Sequence, residues 1–402
     1  MKERILDTAH LEKIRRKKRM RKIRAAVILC LILVVILIWL TGIGSLYVAR
    51  ISDFMETVEL RMRTGKGFPV PLVMGSETQG ASMTAAVVMM DDSEVFVVSD
   101  TGSSLRNFQH GYARPGLSVG DTRFCIYNQG GKELRIEGRS RNYGTLNMAK
   151  PIQFVTMSAD GDFAVVTQSD SYQAKMTIYN DAMDEVYSWY CAEEYPITAA
   201  FSKDGKKIAV GCLSSGGGRL FSVVYLVGKN SEEISLRRDG CLILAIGSRP
   251  NGDFIVVYDD AVITYDAETM EELALYPLSD SLLCCDVDAE DGVLIVQGDA
   301  GRDAGVALTV LSDDLAVLRS VTVGDAVRQC ILRNRTAYLM GKNQVFSYTM
   351  DVEETQERPA GKDSVFDPEH KPLCLIDNRE LLLLTAQQLT AAVPQQTEEG
   401  VN

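Results

Sequence analysis

The stretch Asp160-Gly161-Asp162-Phe163-Ala164-Val165-Val166 decides the fold, because it recurs along the chain. A turn signal followed by a short apolar run returns as Asp204-Gly205-Lys206 before 208–210, and as Asn251-Gly252-Asp253 before 254–257. Looser copies are Asp291-Gly292 before 293–296, Asn334-Arg335 before 337–340, and Asn378-Arg379 before 381–384. Two more lie upstream, Asp121-Thr122 before 124–127 and Asp92-Ser93 before 95–98. Glycine suits such turns because it has no Cβ to clash at positive φ, and Asp and Asn tolerate the same region. Aligned on the second turn residue, the intervals from 122 onward are 39, 44, 47, 40, 43 and 44 residues; the first interval, 29, is short.

About 40–45 residues is what one four-stranded propeller blade needs. A third apolar segment often follows the second, as at 176–179, 220–225, 262–265, 307–311 and 345–348. A single blade cannot cover both of its faces and leaves open edges, so closure into a ring is the physical solution. The eight turns predict an all-β chain folded as an eight-bladed β-propeller; merging the short first unit with the last gives seven. The Trp-Asp and Gly-His signatures of WD40 repeats are missing, so this reading rests on period and strand count. A pair of β-sandwiches is the alternative, and it does not predict such regular intervals.

Upstream of the repeats the chain has a different character. Nine basic residues crowd between Lys13 and Arg24, and 25–48 then run without a charge. At about 1.5 Å per residue, such a helix spans the roughly 30 Å hydrocarbon core of a bilayer. Basic flanks stay on the cytoplasmic side, so the expected topology is a single-pass cell-membrane protein with its N-terminus inside and its propeller outside. A cleaved signal peptide is the runner-up, with Gly42 and Gly44 as a small-x-small site. The apolar run is long for that role. The formal net charge of −12 divides into +8 for residues 1–24 and −20 for the rest. An acidic outer body argues against nucleic acid there, since phosphates must be neutralised by Lys and Arg.

The expected parts are a basic cytoplasmic tail at 1–24, a transmembrane helix at 25–48, a juxtamembrane helix and linker at 49–82, the propeller at 83–393, and a disordered tail at 394–402. Ile51, Phe54, Met55, Val58 and Met62 recur at helical spacing, which carries the helix to about Thr64 before Gly65, Gly67, Pro69 and Pro71 break it. This stripe could lie on the membrane, pair with a second copy or pack on the outer domain. The polar segment 353–371 reads as a surface loop.

The residues that could carry chemistry do not assemble into a known set. The eight cysteines after Cys30 include no C-x-x-C pair, and several sit in apolar runs, as buried thiols do. Cys284 and Cys285 are adjacent and should point to opposite faces of a strand. The histidines, His10, His110 and His370, show no zinc spacing. His110 could line the ring's mouth, though a loop histidine bonding the backbone is the plainer reading. Asp286, Asp288 and Asp291 resemble a calcium turn, with the Gly shifted by one and no bidentate Glu at its usual offset. Gly216-Gly217-Gly218 is no Walker loop and reads as a flexible inter-strand loop. Asp259-Asp260 and Asp313-Asp314 are acid pairs of the kind glycosidases use, but sequence does not say whether two acids face each other. No catalytic, metal or cofactor residue is assigned.

Several stretches carry a resemblance: Gly65-Lys66-Gly67-Phe68-Pro69-Val70, His110-Gly111, Tyr127-Asn128-Gln129-Gly130-Gly131, Ala164-Val165-Val166-Thr167 with Tyr172 and Tyr179-Asn180, and Phe201-Ser202-Lys203-Asp204-Gly205-Lys206. Across nearly its whole length the chain resembles a domain-of-unknown-function family of single-span membrane proteins from anaerobic Gram-positive bacteria. The resemblance implies a membrane-anchored propeller and supplies no catalytic residue. A looser similarity is to quinoprotein-like and YVTN-type propellers. Their tryptophan-rich docking repeats are absent, since the only tryptophans are Trp39 and Trp189; no quinone cofactor is expected. The expected function is an extracytoplasmic scaffold that binds a protein, peptide or cell-wall ligand and touches lipid through its anchor. The alternative is an extracytoplasmic hydrolase of glycans or peptides with its site in the propeller channel.

Overall fold

The computed structural model of the protein describes residues 44–62, 65–75, 78–228, 233–298, 305–323, 327–341, 345–350, 358–359, 373–376, 381–384 and 388–391. The chain divides into two compact units, 1–56 and 57–402. The described part of the first is helical and belongs to the helix Gly44–Met62. That helix ends close to the position the apolar stripe predicts, and Phe54, Met55, Val58 and Met62 on it are exposed. Among the described residues no helix is long and apolar enough to cross a membrane. The basic tail 1–24 and residues 25–43 of the expected span lie outside the described residues, as do the tail 394–402 and His370.

The second unit is the β body. Among the described residues its strands form eight four-stranded antiparallel sheets. Seven use four consecutive strands each, over 79–109, 115–147, 152–191, 195–239, 243–277, 282–323 and 329–359. The eighth is composite: Leu373–Ile376, Leu381–Leu384 and Gln388–Ala391 are completed by Val70–Pro71 from upstream of the first sheet. Val70 stands opposite Leu389 and Pro71 opposite Gln388. The first strands of successive sheets lie against one another all the way round, with Gln79–Met83 meeting Leu373–Ile376 to close the circle. The all-β propeller is thus the observed architecture.

Three sequence expectations need correction. The propeller begins at Val70 and not at residue 83, because the expected linker 49–82 holds the closing strand and all but the last residue of the first sheet's innermost strand. The Asp92-Ser93 signal joins the second and third strands of its sheet, whereas the aligned turns from Asp121-Thr122 to Asn334-Arg335 join the first and second; Asn378-Arg379 lies outside the described residues. The true counterpart is Thr84-Ala85, where Ala85 takes φ +61° without a glycine to mark it. This explains the short first interval. The segment 353–371 contains Arg358–Pro359, which pairs with Phe346 and Ser347 as the outer strand of the seventh sheet.

The strand patterns follow from position in the ring. Second strands such as Ala86–Met90, Phe163–Thr167 and Phe254–Tyr258 are buried at every residue, so they read as continuous apolar runs. Outer strands such as Ile234–Asp239 alternate between half-buried and exposed positions. The core is a set of slabs between neighbouring sheets. Ala164, Met176 and Trp189 of the third sheet pack with Ile208, Val210 and Val223 of the fourth. Phe254, Val256 and Ile263 of the fifth pack with Ala209 and Val224 of the fourth. Val70, Leu72 and Leu389 pack on Val87 and Val98 of the first sheet.

The turn motif has one geometry in three sheets. The N–H groups of Gly161, Gly205 and Gly252 donate to the carbonyls of Ser158, Ser202 and Arg249 at 3.1, 2.9 and 3.0 Å. Their φ values of +94°, +68° and +97° fall in the left-handed region that favours glycine. Gly217-Gly218, expected as a flexible loop, is instead a two-residue turn of the long hairpin Lys207–Gly216 to Arg219–Gly228, with Gly216 paired to Arg219. Both glycines take positive φ, +59° and +77°, as a primed hairpin turn requires.

A second device joins the sheets, and no periodicity announces it. Cationic side chains reach from one sheet to a carbonyl or carboxylate of the next. Arg139 donates to the Thr84 carbonyl at 2.7 Å, and Arg106 to Glu137 at 2.8 Å, across the first seam. Arg123, 1% exposed, donates to the Asp181 carbonyl across the second and lies over the Tyr143 ring. Lys207 reaches the Ala267 carbonyl at 2.6 Å across the fourth. Arg249 pairs with Asp313 at 3.2 Å across the fifth, and Arg333 with Asp288 at 2.5 Å across the sixth. Each such contact satisfies a buried or half-buried polar group that apolar packing alone would strand.

Candidate ligand pocket

The third sheet carries a concavity on the side of its last three strands. Its last three strands present Thr167, Lys175, Thr177 and Tyr190 side by side: Lys175 is opposite both Thr167 and Tyr190, and Thr177 is opposite Ser188. The polar loop 168–173 forms one rim, and the link 147–150 from the second sheet forms another. The cavity holds about 430 Å³, within the range of small-ligand pockets.

Two tyrosines dominate its open side. Tyr172 and Tyr190 are 46% and 47% exposed, with ring centroids 5.0 Å apart at 43°. Lys175 Nζ lies 5.8 Å from the Tyr190 ring centre and 3.9 Å from Glu185 Oε1. Lys150 pairs with Asp170 at 2.5 Å. The floor is firmer. Tyr179 stacks on buried Phe163 at 5.1 Å and points its hydroxyl at the Met148 sulfur. Burial, and then the Glu185 carboxylate, push the Tyr179 phenol above its ordinary pKa. Two lysines and two acids leave the lining without net charge. The chemistry on offer is aromatic stacking plus paired donors and acceptors, which suits recognition of a polar, weakly charged surface.

The residues singled out from sequence lie elsewhere. His110 is buried and makes only backbone bonds, as the plainer reading held: Tyr112 N–H donates to Nδ1 at 3.0 Å, and Nε2 lies 3.1 Å from the Asp91 carbonyl. An accepting Nδ1 assigns the proton to Nε2. The Asp286, Asp288 and Asp291 turn is engaged internally. Asp288 Oδ1 accepts the N–H groups of Glu290 and Asp291, its Oδ2 takes Arg333, and Asp286 Oδ2 accepts the Leu332 N–H at 2.8 Å. Burial raises the Asp286 carboxyl's pKa, against the pull of Arg333. Among the described residues no three His, Cys, Asp or Glu side chains converge as metal ligands.

The acid pairs are divided between partners. Asp260 pairs with Arg238 and Asp259 accepts the Leu242 N–H; Asp313 pairs with Arg249 and Asp314 accepts the Ser312 hydroxyl. Cys125, Cys191, Cys212, Cys241, Cys284, Cys285 and Cys330 are free thiols, and all of these but Cys284 and Cys285 are buried. Cys284 packs toward the seventh sheet and Cys285 toward the fifth, on opposite faces as adjacent strand residues must. Sequence reasoning named no residue of this pocket as a site: Tyr172 and Tyr179 entered it only through the family resemblance, and Lys175, Glu185 and Tyr190 were missed. The available signal was a tyrosine inside a polar loop between two apolar strands.

The family described as "Family of unknown function (DUF5711)" matches residues 73–363. The chain belongs to the DUF5711 family. The matched region contains the whole pocket and seven of the eight innermost strands. No curated protein matches the DUF5711 chain. Among solved structures, it is similar to the C-terminal WD40 domain of Sif2, with a TM-score of 0.56 at 11% identity over 82% of this chain and 100% of that one. It is also similar to the dihydro-heme d1 dehydrogenase NirN, with a TM-score of 0.53 at 12% identity over 71% of this chain and 66% of that one. BamB from Moraxella catarrhalis aligns with a TM-score of 0.49 at 12% identity over 80% of this chain and 100% of that one. At such identities the likeness concerns the propeller fold alone.

Proposed function

We infer that this DUF5711 protein is a single-pass, membrane-tethered binding scaffold whose propeller stands outside the cytoplasm and takes a protein, peptide or wall-polymer partner at the third-sheet pocket. The observation that carries the reading is the exposed Tyr172–Tyr190 pair over a charge-balanced lining. Exposed aromatic rings at a rigid concavity are what binding surfaces concentrate. The uncharged run 25–48 behind a basic tail supports the tether and its orientation. The basic tail also favours anionic lipid headgroups, at about 1 kcal/mol per basic residue near the surface. The scaffold reading fits a site whose lysines and acids neutralise one another.

The test is site-specific photo-crosslinking in the native membrane. A photoreactive residue replacing Tyr190 is expected to give a discrete adduct, and the adduct should be lost when Tyr172→Ala is added. The control replaces Leu273, exposed on the outer strand of the fifth sheet. No adduct at 190, or the same adduct at both positions, overturns the assignment of the pocket.

A further inference from the structure

The seam between the third and fourth sheets differs in chemistry from its neighbours. Here Trp189 and Tyr225 rings meet at 5.2 Å, Trp189 donates to Glu233, and the Tyr225 hydroxyl donates to Glu194 at 2.7 Å. Between them Cys191, the last residue of the third sheet's outer strand, faces Cys212 on the fourth sheet's second strand. Their sulfurs are 4.0 Å apart and both side chains are buried. A disulfide needs about 2.05 Å, so side-chain rotation of both residues has only about 2 Å to close.

We propose that Cys191 and Cys212 are a thiol modification site: a reversible disulfide that links the third and fourth sheets when the protein meets a disulfide-bearing oxidant. The proposal rests on the geometry of this seam and does not depend on the functional reading above. Cys191 is the attacking group. The hydrogen bond from Cys212 leads in pulling its thiol below the ordinary value; burial and the nearby Glu194 carboxylate oppose this, and backbone amides of Glu194 and Glu193 assist. The Cys191 thiolate displaces one thiol from the oxidant and forms a mixed disulfide. The Cys212 sulfur then attacks Cys191, the second thiol leaves, and the two cysteine protons depart with the two thiols. Two electrons pass from the pair to the oxidant. The link would also fix the strand that carries Tyr190, the residue before Cys191 and part of the pocket.

A second thiol contact, Cys284 with Cys330, crosses the sixth seam and provides an internal comparison. The experiment treats the folded full-length protein with oxidised glutathione, blocks the remaining thiols, and maps linkages by mass spectrometry. The expected result is a Cys191–Cys212 peptide reversed by dithiothreitol, with an upward shift of a few degrees in melting temperature. Cys212→Ser should abolish both and leave a glutathione adduct on Cys191. Retention of both free thiols in the folded protein overturns the proposal. So does a wild-type reaction that stops at the mixed disulfide, or one that links only Cys284 and Cys330.

Discussion

A chain shortened to end at residue 372 is expected to lose cooperative unfolding and to aggregate. The missing strands, Leu373–Ile376, Leu381–Leu384 and Gln388–Ala391, supply three quarters of the closing sheet, and among the described residues Val70–Pro71 has no other strand partner. Their loss leaves the first sheet's slab without Leu389 and opens strand edges on an otherwise closed ring. Circular dichroism melts and size-exclusion chromatography read the outcome. A chain lacking only 394–402 should behave as the intact protein. A single sharp transition in the longer truncation would show that the ring does not depend on this closure.

Glu137→Ala should cost roughly 3 kcal/mol of stability, the low end of what breaking a buried ion pair removes. The Glu137 carboxylate is fully buried and receives Arg106 at 2.8 Å, Arg135 at 2.5 Å and Asn142 at 2.9 Å. Arg106 and Arg135 also lie over the Phe108 ring, at 4.5 and 4.9 Å. Removing the acid leaves two guanidinium groups partly desolvated beside each other, with no carboxylate between them. The arginine side chains are 17% and 22% exposed, and that residual hydration keeps the cost from the top of the range. Asp170→Ala is the contrast. Its partner pair is exposed, so the change should cost less than about 1 kcal/mol. Urea denaturation of the two variants separates them. Equal costs would mean that the cluster is solvated and does not pin the first seam.

The propeller was legible because its turns demand glycine or a short polar residue at a fixed place, and because a strand buried on both faces cannot avoid an apolar run. Ala85 shows where that logic stops: a positive φ on alanine leaves no mark in the sequence, and the first sheet was set out of step. The closing strand Val70–Pro71 was unreadable for a different reason. Two residues carry no period, and their partner lies more than 300 positions away. The inter-sheet cations were equally hidden, since Arg123 and Arg139 look like any surface arginine until the neighbouring sheet is in place. The pocket was not read as a site. Tyr172 sits in a polar loop with nothing beside it in sequence to mark a partner, and Lys175, Glu185 and Tyr190 lie within strands, where only the register brings them together. Cys191 and Cys212, separated by an ordinary stretch of chain, meet for the same reason.

The claim on which the functional account turns is that the propeller stands outside a membrane to which its own chain tethers it. A membrane-impermeant amine reagent applied to intact cells tests this most directly. Lys206, whose side chain is 79% exposed on a turn of the fourth sheet, is the reporter; the basic tail at Lys13 and Lys22 is the internal control. The account predicts that Lys206 is modified in intact cells and that the tail lysines react only after lysis. Protection of Lys206 until the cells are broken open would contradict it.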